Sequence, residues 1–172
     1  MKKESYKLYN LIFPIWLLWL LPVTWLVVLP ANFIIDLLVV IIAMKIMKID
    51  DIKDKAKTVI WKVWIYGFIA DLIGTAAMYM ANVITFNYET KLGNWWFENI
   101  TNAVSYNPLD SIYAVLWVTA CVIITAIFIY LFNYKQFVEL LDIDNIQKKK
   151  LALSLAIFTA PYLFYLPTSW FV

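Results

Sequence analysis

The sequence predicts an all-α integral membrane protein, and three observations carry that prediction. The chain of 172 residues is 64% hydrophobic and 18% aromatic, with a mean hydropathy of +0.76. Charged residues make up only 15% of the chain, whereas soluble domains carry about 25%. Apolar runs of about 18 residues or more, long enough to cross a bilayer as helices, fill most of the sequence. We therefore expect one transmembrane helical bundle over residues 1–172 and no separate soluble domain.

The residue inventory excludes several kinds of chemistry. The chain has no histidine and a single cysteine, Cys121. Sites that need histidine, such as a Ser-His-Asp triad or a histidine-ligated metal, are therefore excluded, as is an intramolecular disulfide. We expect no metal site, no cofactor and no catalytic residues. All fourteen basic residues are lysines, and this composition indicates an A/T-rich bacterial genome and no nucleic-acid partner.

Windows of about twenty apolar residues predict five transmembrane helices. They cover residues 11–29, 32–49, 59–86, 111–133 and 151–172. The first two spans are separated only by Pro30-Ala31-Asn32, so a turn is predicted at these residues. Because the second span is short, that turn would lie below the outer surface unless Lys45 and Lys48 reach up to the membrane boundary.

The lysines predict the orientation of the five spans. Thirteen of the fourteen lysines fall in segments on one side of the membrane, and only Lys91 falls on the other. The positive-inside rule then gives a cytoplasmic N-terminus and an external C-terminus in the bacterial cytoplasmic membrane. A cleaved signal peptide over residues 1–31 is the alternative, but its apolar region would be too long.

The external loop between the third and fourth spans predicts a short interfacial helix over residues 94–105, lying flat on the membrane. Trp95 and Trp96 would anchor it at the lipid headgroups. The pattern places Trp96, Phe97, Ile100 and Val104 on its apolar side and Glu98, Asn99, Asn102 and Ser105 on its polar side.

Two aspartates fall inside predicted spans, where each costs about 2.5–3.5 kcal/mol on insertion scales. Asp36 precedes Lys45 by nine residues and Asp71 follows Lys62 by nine residues. Each aspartate is then about 13–14 Å from a boundary lysine, which predicts equal depth on neighbouring antiparallel helices. Two carboxyls so close together would share a proton. Alternatively, both are interior hydrogen-bonding groups.

The third span carries two adjacent stripes. One consists of small residues that allow another helix to approach closely: Gly67, Ala70, Gly74, Ala77 and Ala81. The other is largely polar: Asp71, Thr75, Met78, Asn82 and Thr85. A helix with both faces is expected at the centre of the bundle.

These features support a transporter or channel subunit in which Asp36 and Asp71 bind a proton or cation. Asn32, Thr75 and Asn82 would line the path. Because five helices are few for an independent carrier, we expect a homo-oligomer or a partner membrane protein within the lipid bilayer.

Two other functions remain open. One is a non-catalytic subunit that binds lipid or another membrane protein through the Trp95-Trp96 helix and the small-residue stripe. The other is an intramembrane aspartyl enzyme, in which paired carboxyls activate water. Neither aspartate lies in a Gly-x-Gly-Asp motif, which such an enzyme would be expected to carry.

Overall fold

The computed structural model of the protein describes residues 22–168, and every regular element in that range is helical. The predicted all-α class is therefore confirmed. The α-helices are α1 (Pro22–Ile46), α2 (Ile52–Val83), α3 (Lys91–Trp96), α4 (Ala103–Tyr106), α5 (Ile112–Leu140) and α6 (Asn145–Phe158). A π-helix, Phe97–Asn102, joins α3 to α4, and two 3-10 turns lie at Pro108–Asp110 and Tyr162–Tyr165.

Three helices are long and apolar enough to cross a membrane. They are Trp25–Ile46 within α1, Ile52–Val83 and Ile112–Leu140. They correspond to the second, third and fourth predicted spans, although each is longer than its predicted range or shifted along it. Their outward faces are rich in large apolar side chains, as lipid contact requires.

The four longest helices pack in a closed ring. Helix α1 packs against α2, α2 against α5, α5 against α6, and α6 against α1. We call the end of the ring with loops 47–51 and 141–144 the lysine-rich end, and the end with residues 84–111 the opposite end. One apolar core cluster lies toward the lysine-rich end and a second toward the opposite end.

The turn predicted at Pro30-Ala31-Asn32 is wrong, because α1 continues through these residues as a helix. Pro30 lacks an amide, and such prolines are tolerated in apolar helices where neighbouring groups bond the backbone. The carbonyl that Pro30 leaves without its helical donor is that of Leu26, and the hydrogen bond seen nearby runs from the Trp64 indole to the Leu29 carbonyl, at 3.1 Å. The ring of Phe33 packs edge-on against Trp64, with centroids 6.0 Å apart. These contacts hold α1 against α2 beside the proline.

Helix α1 ends in a tight reversal that sends α2 back alongside it. The amide of Ile49 donates to Met44 and that of Lys48 to Lys45, the bonding pattern of a Schellman motif. Lys48 has φ 52° and Asp51 φ 54°, so two non-glycine residues take left-handed conformations in a five-residue turn. The buried Ile49 closes the motif against the core.

The fifth predicted span is not a continuous helix. Helix α6 begins at a capping box, in which Asp144 accepts a hydrogen bond from the Ile146 amide and Gln147 accepts one from the Asp144 amide. It ends after 14 residues at Phe158. Pro161 cannot continue it, because proline has no amide to donate.

The chain after α6 nevertheless continues to the opposite end of the bundle. The Tyr165 hydroxyl donates to Thr119 Oγ1 at 2.8 Å, and the Thr168 hydroxyl donates to the Ser105 carbonyl at 3.0 Å. Ser105 belongs to the short helices between α2 and α5. Residues 145–168 therefore run the length of the bundle. The first part is α6, and the rest is irregular chain apart from the 3-10 turn at Tyr162–Tyr165. Residues 169–172 of this span lie outside the described range.

The structure also differs from the prediction at the first span. Because α1 covers Pro22–Ile46, it takes up residues that were assigned to the first span and to the turn after it. The remainder of that span, residues 11–21, lies outside the described range, as do Lys2, Lys3 and Lys7. The boundary between the first and second predicted spans is thus wrong, and the signal-peptide boundary at residue 31 falls within a helix.

The interfacial segment is helical from Lys91 to Tyr106, in agreement with the helix predicted over 94–105. Its faces were partly mispredicted, since Phe97 is 40% exposed and Ser105 is buried. The π-helix at Phe97–Asn102 has a wider turn, which shifts the faces of the residues that follow it and accounts for Ser105; Phe97 lies at its start and is not explained by it. Ile100 and Val104 are buried as predicted.

Candidate functional site

Asp36 points into the bundle from α1. It is only 6% exposed, and it shares the inward face of the helix with Val40 and Met44, which are fully buried. Its Oδ2 atom lies 3.7 Å from the point where a Cβ on Gly67 of α2 would stand. Gly67 has no side chain, so the carboxyl faces the α2 backbone across a gap that would just hold a methyl group.

Asp71 follows Gly67 by one turn of α2. Its Oδ1 atom is buried and has no hydrogen-bond partner within residues 22–168. The negative charge of Asp36 acts on the Asp71 carboxyl. Buried carboxyl oxygens without partners are rare, because removing them from water costs free energy that no protein contact returns.

The two aspartates do not lie at equal depth. Ten residues separate Asp36 from the end of α1 at Ile46, whereas nineteen separate Asp71 from the start of α2 at Ile52. The sequence estimate failed because Lys62 lies ten residues inside α2, while Lys45 lies at the very end of α1.

The side chains still converge, because Cα–Cβ bonds tilt toward the N-terminus of their own helix. In this antiparallel pair, Asp36 leans toward the opposite end and Asp71 toward the lysine-rich end. Gly67 lies where they approach each other. The site therefore extends along α2 instead of lying in one plane.

Thr75 adds a third polar group to the same face of α2, one turn after Asp71. The residue is 5% exposed, and its Oγ1 has no hydrogen-bond partner in the described part of the chain. Threonines in a helix usually donate to the carbonyl four residues earlier, as Thr125 does to Cys121 at 2.9 Å. The Thr75 hydroxyl is instead left available. We call Asp36, Asp71 and Thr75 the carboxyl cluster.

No cationic side chain neutralises the carboxyl cluster within residues 22–168. The salt bridge found there joins Lys55 to Asp51 at 3.8 Å, in the turn between α1 and α2. The same part of the chain has no group of three or more histidine, cysteine, aspartate or glutamate side chains that could hold a metal ion. The cluster offers oxygen atoms for a proton, a water molecule or a monovalent cation.

The two asparagines predicted to line a path differ in position. Asn32 is partly buried, one turn from Asp36 on the same side of α1. Asn82 lies eleven residues beyond Asp71, about 16 Å along the helix, and its Oδ1 accepts a hydrogen bond from Ser105 at 3.2 Å. The structure thus brings Asn32 near the carboxyl cluster and leaves Asn82 as a contact to the α4 segment.

The small-residue stripe of α2 packs inside the chain. A Cβ on Gly74 would overlap Thr125 Oγ1 of α5 and stand 3.2 Å from the ring of Phe164. Ala70 and Ala81 are fully buried. Ala77 borders an open groove, an apolar recess of about 310 Å³ between α2 and α5. The space beside Gly74 is therefore filled by α5, so this glycine offers no free surface to a partner protein.

The two tryptophans of the interfacial segment have different environments. Trp95 is 36% exposed and packs edge-on against Tyr113, with centroids 4.8 Å apart. Trp96 turns inward and packs against Phe86 and Trp117. Its Nε1 is buried without a partner in the described residues. Trp95 is thus the better placed of the two for contact with lipid.

A second buried polar group was not predicted. Asn133 and Gln136 of α5 are each 1% exposed within the core near the lysine-rich end. The Gln136 amide donates to Asn133 Oδ1 at 2.6 Å, and Gln136 Oε1 has no partner in the described chain. The sequence signal was present as two amides three residues apart, but Lys135 between them made this stretch resemble the end of the membrane span.

Comparisons of the chain with protein-family models, with curated proteins and with solved structures found no significant match. The function proposed below therefore rests on the residues and their geometry.

Proposed function

We propose that this protein is a multi-pass membrane protein that conducts or transports a proton or monovalent cation through the carboxyl cluster. The observation that carries the proposal is a pair of buried oxygens without a hydrogen-bond partner in residues 22–168, Asp71 Oδ1 and Thr75 Oγ1, one turn apart on the same face of α2. Asp36 contributes a second carboxyl, which faces Gly67 one turn before Asp71. Carboxylates inside membrane helices usually mark ion or proton pathways.

A bound proton or cation reduces the repulsion between the two carboxylates of the cluster. Two carboxylates facing the same space repel each other when both are ionised, and burial removes the water that would screen them. A shared proton neutralises one charge, and a monovalent cation is coordinated by the same oxygens. Thr75 and the nearby Asn32 then provide neutral oxygens that tolerate either ligand.

The orientation of the protein follows from its lysines. After residue 21, ten lysines lie toward the lysine-rich end and only Lys91 toward the opposite end. We therefore place the lysine-rich end in the cytoplasm of a bacterial cell. The position of Thr168 beside Ser105 supports an external C-terminus.

The number of crossings is part of the same proposal. Helices α1, α2 and α5 and the segment 145–168 account for four crossings. Lys2, Lys3 and Lys7 favour a cytoplasmic N-terminus; the fifth predicted crossing falls on residues before Pro22, outside the described range. Because four or five crossings are few for a carrier, we expect assembly as a homo-oligomer or with another membrane protein.

Ion flux in vesicles tests the function. The full chain is reconstituted into proteoliposomes, and the fluxes of H⁺, Na⁺ and K⁺ are each followed with an ion-sensitive dye. We expect Asp36→Asn and Asp71→Asn each to abolish the flux of the transported ion, because each removes one ionisable oxygen pair while preserving size. Asp142→Asn, which changes an exposed carboxyl in the loop between α5 and α6, is the matched control and retains wild-type flux.

Comparing the flux of these variants with that of the wild type also distinguishes this function from a purely structural role for the aspartates. In that case the asparagine variants would fold and conduct as the wild type does, since asparagine can make the same interior hydrogen bonds. Wild-type flux in the double variant Asp36→Asn/Asp71→Asn would contradict the proposal.

A further inference from the structure

The polar pair formed by Asn133 and Gln136 lies in surroundings that are otherwise apolar. Both residues are 1% exposed. The core cluster at this end of the bundle contains fully buried apolar residues from four helices: Val40, Met44, Val59, Phe137, Leu151 and Leu155. Two amide side chains in such a core require hydrogen-bond partners for most of their polar atoms.

The hydrogen bonds of the pair are incomplete. Asn133 Nδ2 donates to the Ile129 carbonyl at 2.8 Å, and Gln136 Nε2 donates to Asn133 Oδ1 at 2.6 Å. Gln136 Oε1 accepts no hydrogen bond from residues 22–168. Asn133 Oδ1 also has a second lone pair. The two amide oxygens can therefore accept hydrogen bonds from a small donor molecule.

The position of the pair along the bundle follows from two contacts between α2 and α5. Gly74 lies against Thr125, and the rings of Tyr66 and Phe132 are 5.6 Å apart. Asn133 is the residue after Phe132, so it lies level with Tyr66 and Gly67. That is the level at which the Asp36 carboxyl contacts α2.

Gln136 lies nearly one further turn toward the lysine-rich end. The polar pair thus occupies the part of the core between the carboxyl cluster and the lysine-rich end. A polar group at that position is expected if the carboxyl cluster communicates with that end of the protein, and it is costly in a core that is only structural.

We propose that Asn133 and Gln136 bind a buried water molecule, which donates a hydrogen bond to Gln136 Oε1 and extends the carboxyl cluster toward the lysine-rich end. Water is the small donor that buried polar atoms of this kind recruit, and such molecules make two to four hydrogen bonds. The pathway role rests on the proposed function, whereas the binding of water does not.

Hydroxyl-radical footprinting of the full chain in vesicles tests the water site directly. Radiolysis converts buried water into radicals that oxidise the side chains beside it, and tandem mass spectrometry reads the oxidation of Phe137 alone. Phe137 is fully buried, so a dry core leaves it unmodified. We expect oxidation of Phe137 in the wild type and several-fold less in Gln136→Leu, which replaces the amide with an apolar side chain of similar size.

The matched control is Thr125→Val. Thr125 is fully buried on the same helix, but its hydroxyl is already bonded to Cys121. This variant keeps wild-type oxidation of Phe137. Background oxidation of Phe137 in the wild type, or equal oxidation in the wild type and Gln136→Leu, would overturn the water site.

Ion flux tests the pathway role with the same two variants. We expect Gln136→Leu to lower flux several-fold and Thr125→Val to leave it unchanged; unchanged flux in Gln136→Leu, with oxidation of Phe137 lost, would overturn the pathway role. Failure of the proposed function gives a different result. In that case the aspartate variants conduct like the wild type, while the footprinting result is unchanged.

Discussion

The Asp36 carboxyl faces Gly67 of α2, with Oδ2 3.7 Å from the point where a Cβ on that glycine would stand. A larger residue at position 67 would come between the carboxyl and the face of α2 that carries Asp71 and Thr75. Gly67 therefore differs from Gly74, whose missing side chain accommodates the neighbouring helix. Of these two glycines in the same stripe, Gly67 borders the carboxyl cluster and Gly74 allows α2 and α5 to pack closely.

The first prediction concerns Gly67→Ala. A separation of 3.7 Å is ordinary van der Waals contact, so the added methyl fits without moving the helices. It covers the Asp36 carboxyl with an apolar group, which disfavours the charged form. We expect wild-type thermal stability in detergent together with reduced ion flux in vesicles. A variant that conducts like the wild type would show that access to Asp36 does not pass Gly67.

The second prediction concerns Gly74→Ala. The added methyl overlaps Thr125 Oγ1, and overpacking of this kind costs about 1–3 kcal/mol. We expect a lower free energy of unfolding, measured by denaturation in detergent micelles. The double variant Gly74→Ala/Thr125→Ala removes the overlapping atom and should recover part of the loss. Simple additivity of the two single variants would contradict the close contact between α2 and α5.

The third prediction concerns Thr75→Val, which replaces a hydroxyl with a methyl of nearly the same size. Because Thr75 Oγ1 has no partner in the described chain, its loss removes no structural hydrogen bond, and we expect stability to be equal or higher. If the hydroxyl serves the carboxyl cluster, the concentration of ion needed for half-maximal flux rises. An unchanged concentration dependence would remove Thr75 from the site.

The fourth prediction concerns the start of α6. Asp144 caps the helix by accepting from the Ile146 amide at 2.8 Å. Replacing such a cap by alanine costs about 0.5–2 kcal/mol, so Asp144→Ala should lower the thermal midpoint. Asp142→Ala, two residues earlier and exposed, is the control and should leave the midpoint unchanged. Equal effects of the two variants would count against the cap.

The sequence predicted those parts of the fold that composition and periodicity determine. The helical class and the segments that contain α1, α2 and α5 follow from long apolar runs, which only a helix can carry through lipid. The continuation of α1 through Pro30 was not predictable, because it depends on contacts such as that between Trp64 and Leu29, which are 35 residues apart in the chain. The end of α6 at Phe158 could not be predicted from hydropathy either, because the residues after Phe158 remain apolar.

The candidate site shows a similar division. Asp36, Asp71 and Thr75 stood out as polar residues in apolar surroundings, and the structure places each of them on a partly or wholly buried face. Their depth was misjudged because a lysine inside a helix was taken as its boundary. The Asn133–Gln136 pair was missed for a related reason: the adjacent Lys135 suggested an exposed end, although α5 continues to Leu140.

Labelling with dicyclohexylcarbodiimide most directly tests the claim that Asp36 and Asp71 form one ion-binding unit. This reagent modifies protonated carboxyls in apolar surroundings, and mass spectrometry locates and counts the adducts in the full chain. We predict one adduct per chain, on Asp36 or Asp71, accompanied by loss of flux. In Asp36→Asn, all labelling should move to Asp71. Adducts on both aspartates of the same chain, or on neither, would contradict the shared site.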